Sequence, residues 1–132
     1  MKKSVIHILL IVLFLSCKED TSPLSNDQID SINPSISILY PLNKSIINQD
    51  TIITIIVDAS DNKGIREVEF IIDGEKEYAD DNLPYNYLWD GGGKFGIHSL
   101  RARAYDLSNN FLDSQTSTFT INSFICSLGL GK

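Results

Sequence analysis

From Pro34 onward this 132-residue chain holds no apolar run at helical spacing. It breaks into short runs of alternating side chains separated by turn residues. A period of two sends successive side chains to opposite faces of a strand. Many short runs of this kind restrict the chain to a sandwich or barrel. The spacing predicts strands at 35–40 (SISILY), 51–60 (TIITIIVDAS), 65–72, 75–78, 85–89, 98–106 and 111–121. The second run is rich in β-branched residues, which suit a pleated backbone. Ile53, Ile55, Val57 and Ala59 would share one face of it. Val68, Phe70 and Ile72 would face inward from the third run, with Glu67 and Glu69 outward. Leu100, Ala102 and Ala104 would do so from the sixth, and Phe119 and Ile121 from the last. Asp73-Gly74 is a hairpin signal, and Pro41, which lacks an amide donor, suits a strand end. The fold expected is all-β, a sandwich of about seven strands.

The N-terminal part reads as an address. Met1-Lys2-Lys3 is a short basic region, and residues 5–15 (VIHILLIVLFL) are apolar except for His7. Eleven residues fall short of the roughly 20 that span a bilayer core, and the pattern is that of a secretory signal peptide. Leu13-Phe14-Leu15-Ser16-Cys17 resembles the bacterial lipobox, with Phe14 standing where leucine is commonest. That resemblance implies cleavage before Cys17, a diacylglyceryl group on its thiol and an acyl chain such as palmitate on its amine. Buried acyl chains contribute about 0.8 kcal/mol per CH₂, so more than one gives stable anchoring. Lys18-Glu19-Asp20 is similar to the surface-export signal of Bacteroidetes lipoproteins, which implies the outer face of the outer membrane. The expected organisation is a signal peptide over 1–16, a flexible tether over 17–33, a domain over 34–121 and an unassigned tail over 122–132.

Charge narrows the partners. The chain has 11 basic and 17 acidic residues. Removing Lys2 and Lys3 leaves 9 against 17, a balance of −8. Phosphate neutralisation needs clustered Lys and Arg, so nucleic acid is not an expected partner. The membrane is expected as a partner through the lipid alone, with surface glycans or envelope proteins beside it, and the protein is expected to be a monomer. With Cys17 acylated, Cys126 has no disulfide partner and reads as a small apolar residue.

The ordered motifs of residues 34–121 resemble the bacterial Ig-like domain. They run through Pro34-Ser35-Ile36-Ser37-Ile38, Tyr40-Pro41, Ala59-Ser60-Asp61-Asn62, Gly64-Ile65, Val68-Glu69-Phe70 and Ile72-Asp73-Gly74. Pro84-Tyr85, Trp89-Asp90, Gly96, His98-Ser99-Leu100, Ala102 and Ala104-Tyr105-Asp106 follow, and Asn109-Asn110 stands where the family usually has Gly-Asn. The resemblance implies an immunoglobulin-like Greek-key β-sandwich serving as a spacer or binding module of the cell surface. A carbohydrate-binding or adhesion module, or the N-terminal piece of a larger surface enzyme, are the alternatives.

Catalytic constellations are weak. His98 opens a strand, and a triad needs convergent geometry. Gly91-Gly92-Gly93-Lys94 lacks the spacing, hydroxyl and helix of a phosphate loop. Glu67 and Glu69 read as a solvated face. No catalytic residue, cofactor or resident metal is expected. Asp58, Asp61 and Asp106 lie near strand ends that could converge at one pole, which makes them candidate calcium ligands. Ordinary turn chemistry accounts for such residues as well. Tyr85, Tyr87 and Trp89, with Tyr78 nearby, are candidates for stacking on sugar rings or for filling the core.

Overall fold

The computed structural model describes residues 29–48 and 52–122. These form nine strands: β1 Ser35–Tyr40, β2 Ser45–Ile47, β3 Ile52–Ser60, β4 Ile65–Ile72, β5 Glu75–Asp80, β6 Asn86–Asp90, β7 Gly96–Asp106, β8 Phe111–Asp113 and β9 Ser117–Ile121. No helix occurs among the described residues. One sheet has the order β1-β3-β6, and the other β2-β9-β7-β4-β5, with β8 also on β7. The two sheets face each other as the sandwich that the alternation predicts.

The period-two residues fill the space between the sheets. Ile53, Ile55 and Val57 of β3 meet Val68, Phe70 and Ile72 of β4, Leu100, Ala102 and Ala104 of β7, and Phe119 and Ile121 of β9. Each large aliphatic or aromatic side chain so buried contributes about 1.5–3 kcal/mol. Between β4 and β7, Phe70 stands opposite Ala102 and Val68 opposite Ala104. Large residues face methyl groups, which lets the layer fill without overlap.

Two details differ from the sequence reading. First, β2 was not predicted. After Pro41 the chain leaves the first sheet and pairs in parallel with β9, Ser45 opposite Phe119 and Ile47 opposite Ile121. The side chain of Asn43 steers this crossing by accepting from the amide of Thr118 at 3.0 Å. Three residues are too few to display a period. Second, the predicted strand 111–121 is interrupted. Ser114 is buried, and its Oγ accepts from the amide of Ala102 at 3.0 Å. Both halves pair with the same edge of β7. The Asp73-Gly74 hairpin forms as predicted, with φ of 51° and 88° at the two residues.

The strands run between two poles. At the first, Ser35 lies opposite Ser60, and the turns after β3 and β7 lie together. At the second, Asp90 lies opposite Ile52 and Gly96 opposite Ile121. The described chain enters at the first pole and leaves β9 at the second.

Leu100→Ala should lower the unfolding free energy by about 2–5 kcal/mol, since it opens a cavity in the sandwich interior. On the same strand Ile97 is 78% exposed, and Ile97→Ala should change it by no more than about 0.5 kcal/mol. Urea titration of both variants measures the contrast.

Candidate functional site

The first pole gathers three carboxylates. Asp61 begins the turn between β3 and β4, Asp106 ends β7, and Asp30 comes from the segment ahead of β1. One carboxylate oxygen from each lies within 4.8 Å of the others. Asp106 is fully buried and Asp30 is 9% exposed.

Local turn chemistry fixes each residue. Asp61 Oδ2 accepts from the amides of Lys63 at 2.7 Å and Gly64 at 3.2 Å. Asp106 Oδ1 accepts from the amides of Ser108 and Asn110, both at 2.8 Å. Asp30 Oδ1 accepts from Ile32 N at 3.1 Å, and its Oδ2 from Asn62 Nδ2 at 3.1 Å. Asn110 Nδ2 joins the three segments, donating to Asp106 Oδ2 at 2.7 Å and to the carbonyls of Asp30 at 2.9 Å and Ile32 at 3.3 Å. Among the described residues, Asp61 Oδ1 is sealed from solvent and meets no hydrogen-bond donor. Among the described residues, none of the three carboxylates forms an ion pair within 4 Å. The pole is therefore a cluster of three carboxyl groups held in well-ordered turns.

Sequence reasoning found two of these residues. Asp58 is not the third: it sits on the outward face of β3, exposed and opposite Ser37. The strand's period sends its side chain away from the pole. Asp30 takes that place, so the end of the segment expected to be a flexible tether belongs to the folded pole. Its local contact with the Ile32 amide is an ordinary turn, and the contacts that carry it to the pole lie 32 and 80 residues away.

The sugar-stacking candidates are corrected by burial. Trp89 is 2% and Tyr85 5% exposed, and both belong to the core. Trp89 packs edge-on to Phe119 and His98, and Lys94 lies over its ring. Tyr87 is half-buried and stacks on Tyr78 at 5.0 Å, spanning the side of the sandwich between β5 and β6. A flat row of exposed rings does not form from these residues. Cys17 and Cys126 lie outside the described residues.

The rejected catalytic groups have structural tasks. His98 Nδ1 is 2.7 Å from Asp73 Oδ2, and its Nε2 is 2.9 Å from the carbonyl of Lys94. Both ring nitrogens are thus engaged in contacts within the second pole. The glycine loop is a turn closed by Lys94 N on Gly91 O at 3.0 Å. Glu67 and Glu69 pair with Arg66 and Lys76, and Asp113 pairs with Arg101 and Arg103.

Comparison with known proteins bears on the folded domain. A family model described as the bacterial Ig domain matches residues 34–121. Among solved structures, the chain is similar to the fibronectin(III)-like modules of CbhA from Clostridium thermocellum. The identity is 26% and the TM-score 0.57, covering 70% of this chain and 47% of that one. The chain thus spans about half the length of that structure. No curated protein matches it.

Stability should fall on acidification partly through Asp73. Burial raises the pKa of its carboxyl, but hydrogen bonds from His98 and the Ser99 amide, with the charge of His98, outweigh burial and hold it below the usual carboxylate value. A lowered folded-state pKa stabilises the fold above the unfolded value of about 3.9, and the contribution disappears as pH falls through the folded value. Asp73→Asn, which keeps an asparagine-tolerant turn, should flatten the decline in urea midpoint below about pH 4. An unchanged slope would contradict the assignment.

Proposed function

Because this chain belongs to the bacterial Ig domain family and folds as an immunoglobulin-like β-sandwich, we propose that it is a non-catalytic, lipid-anchored binding or spacer module of the bacterial cell envelope. The observation that carries the reading is the placement of Ser16-Cys17 behind an apolar leader and ahead of a domain entered at one pole. With acyl chains on Cys17, the first pole faces the membrane. The second, with the turns at Asp73-Gly74 and 91–94, faces away. β7 has 11 residues, so the sandwich holds its outer turns about 35 Å from its base at roughly 3.3 Å per residue. Lys18-Glu19-Asp20 supports display on the outer surface of the outer membrane. Binding there falls to the outer turns and sheet faces, toward surface glycans or envelope proteins, because the interior is filled.

Metabolic labelling with a palmitate analogue tests the anchor. The wild-type chain should carry label in the membrane fraction, and Cys17→Ala should lose it. Label that persists in Cys17→Ala, or a wild-type chain without label, overturns the proposal.

A further inference from the structure

We propose that the free edge of β6 is a docking site for an extended, basic segment of a partner protein, which adds to the smaller sheet as a fourth strand. β6 ends the order β1-β3-β6, so one of its edges has no neighbour in its sheet. The direction of its main chain follows from two bonds. Val57 N donates to the Tyr85 carbonyl at 3.1 Å, while Asn86 N turns away from β3 to Asp80 Oδ2 at 3.0 Å. Antiparallel pairing alternates residue by residue. Tyr87 and Trp89 therefore bond to β3, and the amide and carbonyl of Leu88 point to the open edge. Open main-chain groups of this kind are a template that another extended chain completes.

The side chains around this edge state what the segment must carry. A cleft of about 290 Å³ lined by Tyr78, Asn86, Tyr87 and Leu88 lies between β6 and β5, the edge of the other sheet. A strand beside Leu88 sends alternate side chains to two surfaces. One set lies on the outer face of the smaller sheet, where the exposed Leu88 is diagonal to the exposed Ile52 and Ile56. The other lies over the stacked rings of Tyr78 and Tyr87. Residues 77–93 hold four carboxylates, Glu77, Asp80, Asp81 and Asp90, and no Lys or Arg. Among the described residues, none of the four forms an ion pair. Burial first, and then the charges of Glu77 and Asp90, raise the pKa of the Tyr87 hydroxyl, so both carboxylates act on this cleft. Aromatic faces and unpaired carboxylates both attract cations. The fitting segment alternates apolar residues with Lys or Arg. A second copy of this chain pairing edge to edge would set like carboxylates against one another. The inference rests on the reading of the chain as a binding module and is independent of the acyl anchor, whose loss would leave the β6 edge unchanged.

The test titrates the isotope-labelled full chain with a short synthetic peptide of alternating valine and lysine and follows the backbone amides by NMR. Resonances of 86–90 and Tyr78 should shift, and the Leu88 amide should exchange with solvent more slowly once the peptide is bound. A peptide with glutamate in place of lysine should leave them unmoved. Glu77→Gln combined with Asp90→Asn should weaken binding by about threefold to tenfold, as exposed ion pairs do. Leu88→Pro removes an outward amide, which an edge strand tolerates, and should weaken binding about tenfold. Leu88→Ala keeps that amide and should weaken it less. The two charge substitutions alter exposed side chains and leave the fold intact, so they decide the matter even where the proline variant unfolds. No shift at 86–90 with ~1 mM lysine peptide overturns the proposal. So do equal shifts with the glutamate peptide, undiminished binding in the charge variant, or self-association through the β6 edge without peptide.

Discussion

Strand β7 is hydrogen-bonded along both edges, to β4 on one side and to β8 and β9 on the other. Its inward residues have no exit to solvent, and Leu100, Ala102 and Ala104 are fully buried. What those positions hold sets the thickness of the layer. Methyl groups at 102 and 104 leave room for Phe70 and Val68 opposite them, and Ile72 meets Leu100 at the far end. The facing sheet then closes on a level surface with Ile53, Ile55 and Val57. A packed interior transmits changes in volume as strain, so the spacing of the sheets and the position of every turn follow from this pairing.

A filled interior moves function outward. The outer face of the larger sheet is largely self-neutralising. Arg103 meets Asp113 at 2.6 Å and Lys76 meets Glu69 at 2.6 Å, while the guanidinium groups of Arg66 and Arg103 cover Tyr105 and Phe111. Such pairs satisfy one another and present little uncompensated charge. The turns at the poles remain, and at the first of them Asp61 and Asp106 lie among hydrogen bonds that fix their orientation.

How much of this was legible depended on how local the signal was. The interior faces of β3, β4, β7 and β9 could be read from alternation, because one buried face writes itself into every second residue. The Asp73-Gly74 hairpin could be read because two adjacent residues determine it. β2 could not, since its partner is 74 residues further along and three residues carry no period. Trp89 and Tyr85 stayed ambiguous because aromatic residues suit both a core and a ligand platform, and only the pairing of β6 with β3, continued by the Val57 amide on the Tyr85 carbonyl, turns them inward. At the pole, Asp61 and Asp106 announced themselves as turn residues. Asp58 had the same chemistry on the wrong face of its strand. Asp30 showed only an ordinary turn with Ile32, and its place at the pole comes from Asn62 and Asn110.

The course of β1 and β2 gives the first pole its mechanical meaning. The two are one path that begins beside Ser60, changes sheets at Pro41 and ends beside Ile121. A pull between Ser35 and Ile121 acts along this path. It shears β1 against β3 and β2 against β9, so the bonds of each patch share the load instead of opening in turn. Upstream of Ser35 the first attachments are Asp30 to Asn62 and the carbonyls of Asp30 and Ile32 to Asn110. These join the incoming segment to the turns that end β3 and β7, the long central strands of the two sheets. Tension entering there is divided between both sheets before it reaches β1.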